Sequence, residues 1–172
     1  MMKLFKQKDI FARDTHPELP IDPDVVQPGV YRWPPHFTPV LLAIVFIGGC
    51  VGALARYGVI AILPTANDGF PVSTLFVNLL GAFLLGMLLE GLSRRGRDEG
   101  ALRALRLLLG TGYIGAFTTY STFAVETNEL IRHSAVFTAS LFVASSILGG
   151  LLLCAIGIKI AAFYHAEKVT KK

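Results

Sequence analysis

The chain has 172 residues, of which 53% are hydrophobic and only 16% charged, and it carries a formal net charge of +4. Its mean hydropathy is +0.57, and its charges are crowded into short blocks, which excludes an ordinary soluble domain. The basic excess is not a nucleic-acid signature, because the basic residues sit beside apolar stretches, where they set membrane orientation. No nucleic-acid partner is expected.

Four stretches approach or exceed the roughly 20 residues that cross a bilayer, so the chain reads as an all-α, polytopic membrane protein with four transmembrane helices. Ahead of them, residues 1–38 are polar and proline-rich, with Pro17, Pro20, Pro23, Pro28, Pro34 and Pro35 interrupting any long periodicity. They lack the apolar core of a cleaved signal peptide and are expected to form an extended or disordered cytoplasmic tail. Met2–Phe11 mixes lysines with Leu4, Phe5 and Ile10, which suits a solvated segment or one lying on the membrane surface. Trp33 suits an interfacial anchor.

The first predicted span runs from about Pro39 to Leu63. Gly48, Gly49, Gly52 and Ala53 place small residues three and four apart, which lets another helix approach closely. Arg56 lies deep in this segment, where an unpaired arginine costs a few kcal/mol. It either reaches the headgroups beside Tyr57 or acts as a structural cation, facing a vestibule or holding a backbone carbonyl. Cys50 here and Cys154 near the C-terminus have no CxxC spacing and read as small hydrophobes. A turn over Leu63–Pro71 follows, rich in Asn67, Asp68 and Gly69.

The second span runs from about Val72 to Leu92, with Thr74, Asn78, Gly81, Ala82 and Leu85 on one helical face. An asparagine in hydrocarbon needs hydrogen-bond partners and should face protein or water. Asn78 is expected either to glue two helices together or to donate amide hydrogens to an anion. The charged loop Ser93–Arg106 reads as a topology signal.

The third span, about Leu102 to Thr127, contains Gly110–Phe123, GTGYIGAFTTYSTF. Gly110, Gly112 and Gly115 are followed by the hydroxyl run Thr118, Thr119, Tyr120, Ser121 and Thr122. This is poor helix material in lipid, and freed carbonyls are tolerated only where they are buried in protein or line a watery path. Broken segments are where membrane proteins place ion sites. The span is therefore expected to be broken mid-membrane, and the break to be the functional centre. The fourth span runs from about Ser134 to Phe163, with Ser146 sharing a face with Phe142 and Gly150. Residues 164–172 form a basic C-terminal tail.

Four spans put both termini and the central loop on one side. That side carries Arg32, Arg94, Arg95, Arg97, Arg103, Arg106, Lys159, Lys168, Lys171 and Lys172 near the spans, against Arg132 alone on the other. The positive side stays cytoplasmic, so the chain is expected to be N-in and C-in.

Three motifs, GGCVGALARY (48–57), STLFVNLLGAFLLG (73–86) and GYIGAFTTYSTF (112–123), resemble the Fluc/CrcB family of fluoride channels in order and separation. The resemblance covers about residues 40–163, the four-helix channel domain expected over 39–163. It implies subunits that pair antiparallel in the cell membrane, two narrow pores, passive F⁻ flow that lowers cytoplasmic fluoride, and no enzymatic activity. It also implies a structural, non-transported Na⁺ held by the backbone carbonyls of Gly115 and Thr118. Asn78, Tyr120, Phe123 and Ser146 would line the fluoride path, with Arg56 as the structural arginine. Tyr120 stands where the family usually has phenylalanine. The positive bias is also larger than a subunit inserting both ways should carry, so the partner is expected to be a second copy or an oppositely oriented paralogue.

A small four-helix, proton-coupled multidrug exporter is the competing reading. Proton coupling usually needs a carboxylate at membrane depth, and Glu90, Glu126 and Glu129 are all expected at span ends. A membrane enzyme is a weaker reading still, since no His/Asp/Glu constellation falls within the spans.

Overall fold

The computed structural model describes residues 38–63 and 69–170. The expectations for the tail through residue 37, for Trp33 and Met2–Phe11 within it, for Asn67 and Asp68, and for the Lys168, Lys171 and Lys172 side chains lie outside them.

Every regular element among the described residues is helical. Three helices are long and apolar enough to cross a membrane. These are α1 (Pro39–Ile62), α2 (Val72–Ser93) and the last helix of the described residues, Val136–Thr170. Between α2 and that last helix the chain is helical but not uniform. A short α3 (Gly100–Leu105) continues into a π-helical stretch, π1 (Arg106–Ile114), and then a final α turn, α4 (Gly115–Phe117). After two extended residues, Thr118 and Thr119, the helix α5 (Tyr120–Arg132) begins, and α6 is Val136–Thr170.

The glycines do not break this segment. Gly110 and Gly112 stay helical, inside π1, and the extended pair is Thr118–Thr119. Gly112 serves a close approach to α1 instead. A Cβ at Gly112 would sit 2.7 Å from Val45 O, one at Gly48 would collide with Leu108 O, and one at Gly52 would collide with Tyr113 O. The small residues of α1 therefore seat its backbone against π1, replacing side-chain contact with backbone contact. On the other side, α2 packs along most of α6, where Gly157 meets the Phe83 carbonyl.

Few side chains are fully buried within one chain. Val77 and Phe142 are, and Phe142 anchors a small cluster with Leu130 and Ala139, against which Phe70, Leu75 and Phe123 pack. Large apolar side chains such as Phe46, Leu54, Phe137 and Leu151 stand exposed. This is the pattern of helices whose outer faces meet lipid or another subunit rather than water.

The loop between α2 and α3 is tied by ion pairs. The Asp98 carboxylate accepts from Arg106 Nε on both oxygens at 3.0 Å and from Nη2 at 2.7 Å, and its own backbone carbonyl accepts from Arg103 at 3.0 Å. The Arg106 hydrogen bond holds the Asp98 carboxyl below its ordinary value.

Candidate functional site

The break at Thr118–Thr119 is held from two sides. Thr118 has φ −77° and ψ 161°, and Thr119 has φ −146° and ψ 123°. The Thr118 N–H still closes the preceding turn on the Ile114 carbonyl at 3.0 Å, and the Thr119 carbonyl opens α5 as its N-cap, but the Thr119 N–H and the Thr118 carbonyl have no helical partner and must find one elsewhere. Asn78 supplies two hydrogen bonds to the break. Its Oδ1 accepts the Thr119 N–H at 2.8 Å and its Nδ2 donates to the Thr119 carbonyl at 3.0 Å. Arg56 supplies the third, donating from Nη1 to the Thr118 carbonyl at 3.1 Å.

The break also caps the helix that follows it. The Thr119 hydroxyl accepts the Thr122 N–H at 3.2 Å and donates to Thr122 Oγ1 at 3.0 Å, satisfying one of the free donors that open α5. Thr118 packs over Gly81 of α2, where any Cβ would collide with its methyl group. The asparagine and the glycine of α2 thus act together: Gly81 lets the break come close and Asn78 binds it.

A groove of about 490 Å³ lies beside the break, and Asn78, Gly115, Thr118, Tyr120, Phe123 and Ser146 all line it. Every expected path and cation residue except Arg56 therefore opens on one space. Arg56 reaches the Thr118 carbonyl from α1 instead, rather than the headgroups. Tyr120 is 81% exposed, its ring centroid 6.3 Å from that of Phe123. Phe123 packs in turn on the buried Phe142, at 5.1 Å.

The hydroxyl hydrogens in this groove are mostly committed. Ser146 donates to the Phe142 carbonyl at 2.8 Å and Thr118 to the Ile114 carbonyl at 3.0 Å. Asn78 uses one amide hydrogen on Thr119, and an amide carries two, so one remains for a ligand.

The carbonyls expected to hold Na⁺ suit a hard cation. Thr119 N–H, the α-helical donor to the Gly115 carbonyl, goes to Asn78 instead, which frees that oxygen. The Thr118 carbonyl gives one lone pair to Arg56 and keeps the other. The arginine's charge opposes a cation on the same oxygen.

Two functional-looking atoms were not legible beforehand. Thr74 Oγ1 and Glu126 Oε2 are buried with no well-formed hydrogen bond among the described residues, although the two side chains interact with each other. Glu126 therefore has an oxygen shut away from water, whereas its position suggested a span end. The signal was Thr74 lying four residues before Asn78 on the same face.

The family described as CrcB-like protein, Camphor Resistance (CrcB), matches residues 43–158. The chain is 43% identical over 115 residues to the fluoride-specific ion channel FluC 1 of Cutibacterium acnes, covering 67% of this chain and 80% of that one. It is 44% identical over 130 residues to FluC 2 of Leifsonia xyli subsp. xyli, covering 76% and 81%. With FluC of Chlorobium phaeobacteroides it shares 41% over 124 residues, 72% of this chain and 94% of that one. A match spanning all three apolar helices and the broken segment between them, at this identity, leaves one conclusion: the chain belongs to the CrcB/FluC family.

Proposed function

We propose that this chain is a subunit of a fluoride-specific ion channel that passes F⁻ passively across the cell membrane and so lowers cytoplasmic fluoride. The observation that carries the reading is the groove beside the break, which gathers Asn78, Tyr120, Phe123 and Ser146 in a chain whose relatives are named fluoride-specific channels. Fluoride is small and strongly hydrated, so donors must replace its water. The second amide hydrogen of Asn78 is the uncommitted N–H donor among these four, and the ring edges of Tyr120 and Phe123 present positive charge. Ser146 serves only if its hydroxyl turns away from the Phe142 carbonyl.

In this reading the segment from Gly100 to Arg132 is the third of four crossings, and two subunits pair antiparallel about the break. The Gly115 and Thr118 carbonyls of each would hold a structural Na⁺, which when bound supplies a fixed positive charge that favours an anion nearby. The arginines on the 93–106 loop support an N-in, C-in orientation in the cell membrane. That bias favours an oppositely oriented paralogue over a second copy as partner.

Fluoride efflux from liposomes, with chloride as the control, tests the function. The expected result is fast F⁻ loss without Cl⁻ loss when both partners are present, and equal loss of the two ions overturns it. Robust flux from this chain alone would overturn the paralogue reading and leave the channel reading intact.

A further inference from the structure

A second groove, on another face of α2, is not used by this pathway. Leu84, Met87, Leu88 and Gly91 line one wall, Leu105 and Leu109 the other, and its volume is about 440 Å³. The α2 positions recur three and four apart, and Arg95, in the turn two residues past the end of α2, is the charged residue of the lining. From Leu84 to its end at Ser93, α2 rises about 14 Å at 1.5 Å per residue. That is about half of a hydrocarbon core roughly 30 Å thick, the depth of one leaflet.

Arg95 differs from its neighbours. Arg94 pairs with Glu90, Arg97 with Glu99 and Arg106 with Asp98, while Arg103 donates to the Asp98 carbonyl. The Arg95 side chain is exposed and has no such partner among the described residues.

We propose that this groove seats one acyl chain of an anionic phospholipid, from the leaflet bordering the 93–106 loop, with its phosphate on Arg95. The walls are apolar along the depth of one chain, and the charge at the end is of the sign and shape that binds phosphate bidentately. An apolar trough facing lipid is filled by whatever apolar chain is at hand. The free guanidinium selects among those chains by their headgroup.

The test is lipid retention by native mass spectrometry, using the full chain in mild detergent with phosphatidylglycerol and phosphatidylcholine of matched acyl chains. Phosphatidylglycerol should be retained over phosphatidylcholine. Arg95→Ala should lower its retention about fivefold, the share of one basic residue at an anionic surface. Arg94→Ala, whose arginine is already paired, should leave retention unchanged, and Leu88→Trp, which fills the trough, should lower retention of both lipids. A photoreactive acyl chain should label the 84–109 region. Equal retention by Arg95→Ala and the parent protein would overturn the proposal. So would an Arg94→Ala loss as large as that of Arg95→Ala, or cross-linking of Leu88→Cys to a second copy.

Discussion

Asn78 is the residue whose replacement says most. Asn78→Ala removes both hydrogen bonds to Thr119, at 2.8 and 3.0 Å. It leaves the Thr119 N–H without a partner, on a residue only 6% exposed, and takes one donor from a carbonyl that still opens α5. An orphaned buried group costs about 1–3 kcal/mol, a sizeable share of a typical folding stability of about 5–15 kcal/mol. Asn78→Asp keeps an acceptor for the Thr119 N–H but turns its other oxygen on the Thr119 carbonyl and places negative charge on the groove. Both variants should unfold earlier in detergent. The Asp variant should also abolish fluoride efflux where assembled protein remains. Hydrogen exchange at the Thr119 amide should accelerate in the Ala variant. Unfolding within about 0.5 kcal/mol of the parent protein, with unchanged exchange at Thr119, would refute the claim that Asn78 holds the break.

Gly81→Ala should destabilise by about 1–3 kcal/mol through overpacking, since its Cβ meets the Thr118 methyl group; chemical unfolding in detergent reads this directly. Arg56→Ala should free the Thr118 carbonyl and remove a like charge from the proposed Na⁺ site, raising the Na⁺ dependence of thermal stability, while Arg56→Lys, with one contact point, should fall between. Ser146→Ala leaves the Asn78–Thr119 pair intact, so it should lower fluoride efflux without shifting unfolding; equal efflux would remove Ser146 from the path. Asp98→Asn should lower the unfolding temperature at neutral pH. Because Arg106 depresses the Asp98 pKa in the folded protein, the stabilisation is complete above the ordinary aspartate range and fades as pH falls through the depressed value, where parent and variant should converge.

The apolar helices were legible almost to the residue because their length and composition leave no other solution in lipid. Expected and observed starts agree at Pro39 and Val72, and their ends fall within one residue, at Ile62 and Ser93. The last helix runs to Thr170 rather than about Phe163, continuing into polar residues that apolar run length does not report. The interruption was legible as a region but not as a place. Glycine content suggested Gly110–Phe123, yet the intrinsic cost of glycine in a helix, about 1 kcal/mol, was overridden at Gly112 by contact with α1. The extended state settled on two threonines with partners 41 and 62 positions earlier in the chain. Spacing along one helix cannot announce such partners. It explains why Asn78 and Arg56 each carried two readings in sequence and have definite partners in the structure.

The tie between Asn78 and Thr119 has a mechanical consequence. A gate needs a hinge that swings, and here the natural hinge is bolted to two separate helices. Moving residues 118 and 119 means either dragging α1 and α2 along or severing every bolt at once. A channel built as proposed on this break would have a static aperture rather than a door, and its flux would be regulated through how many channels are assembled.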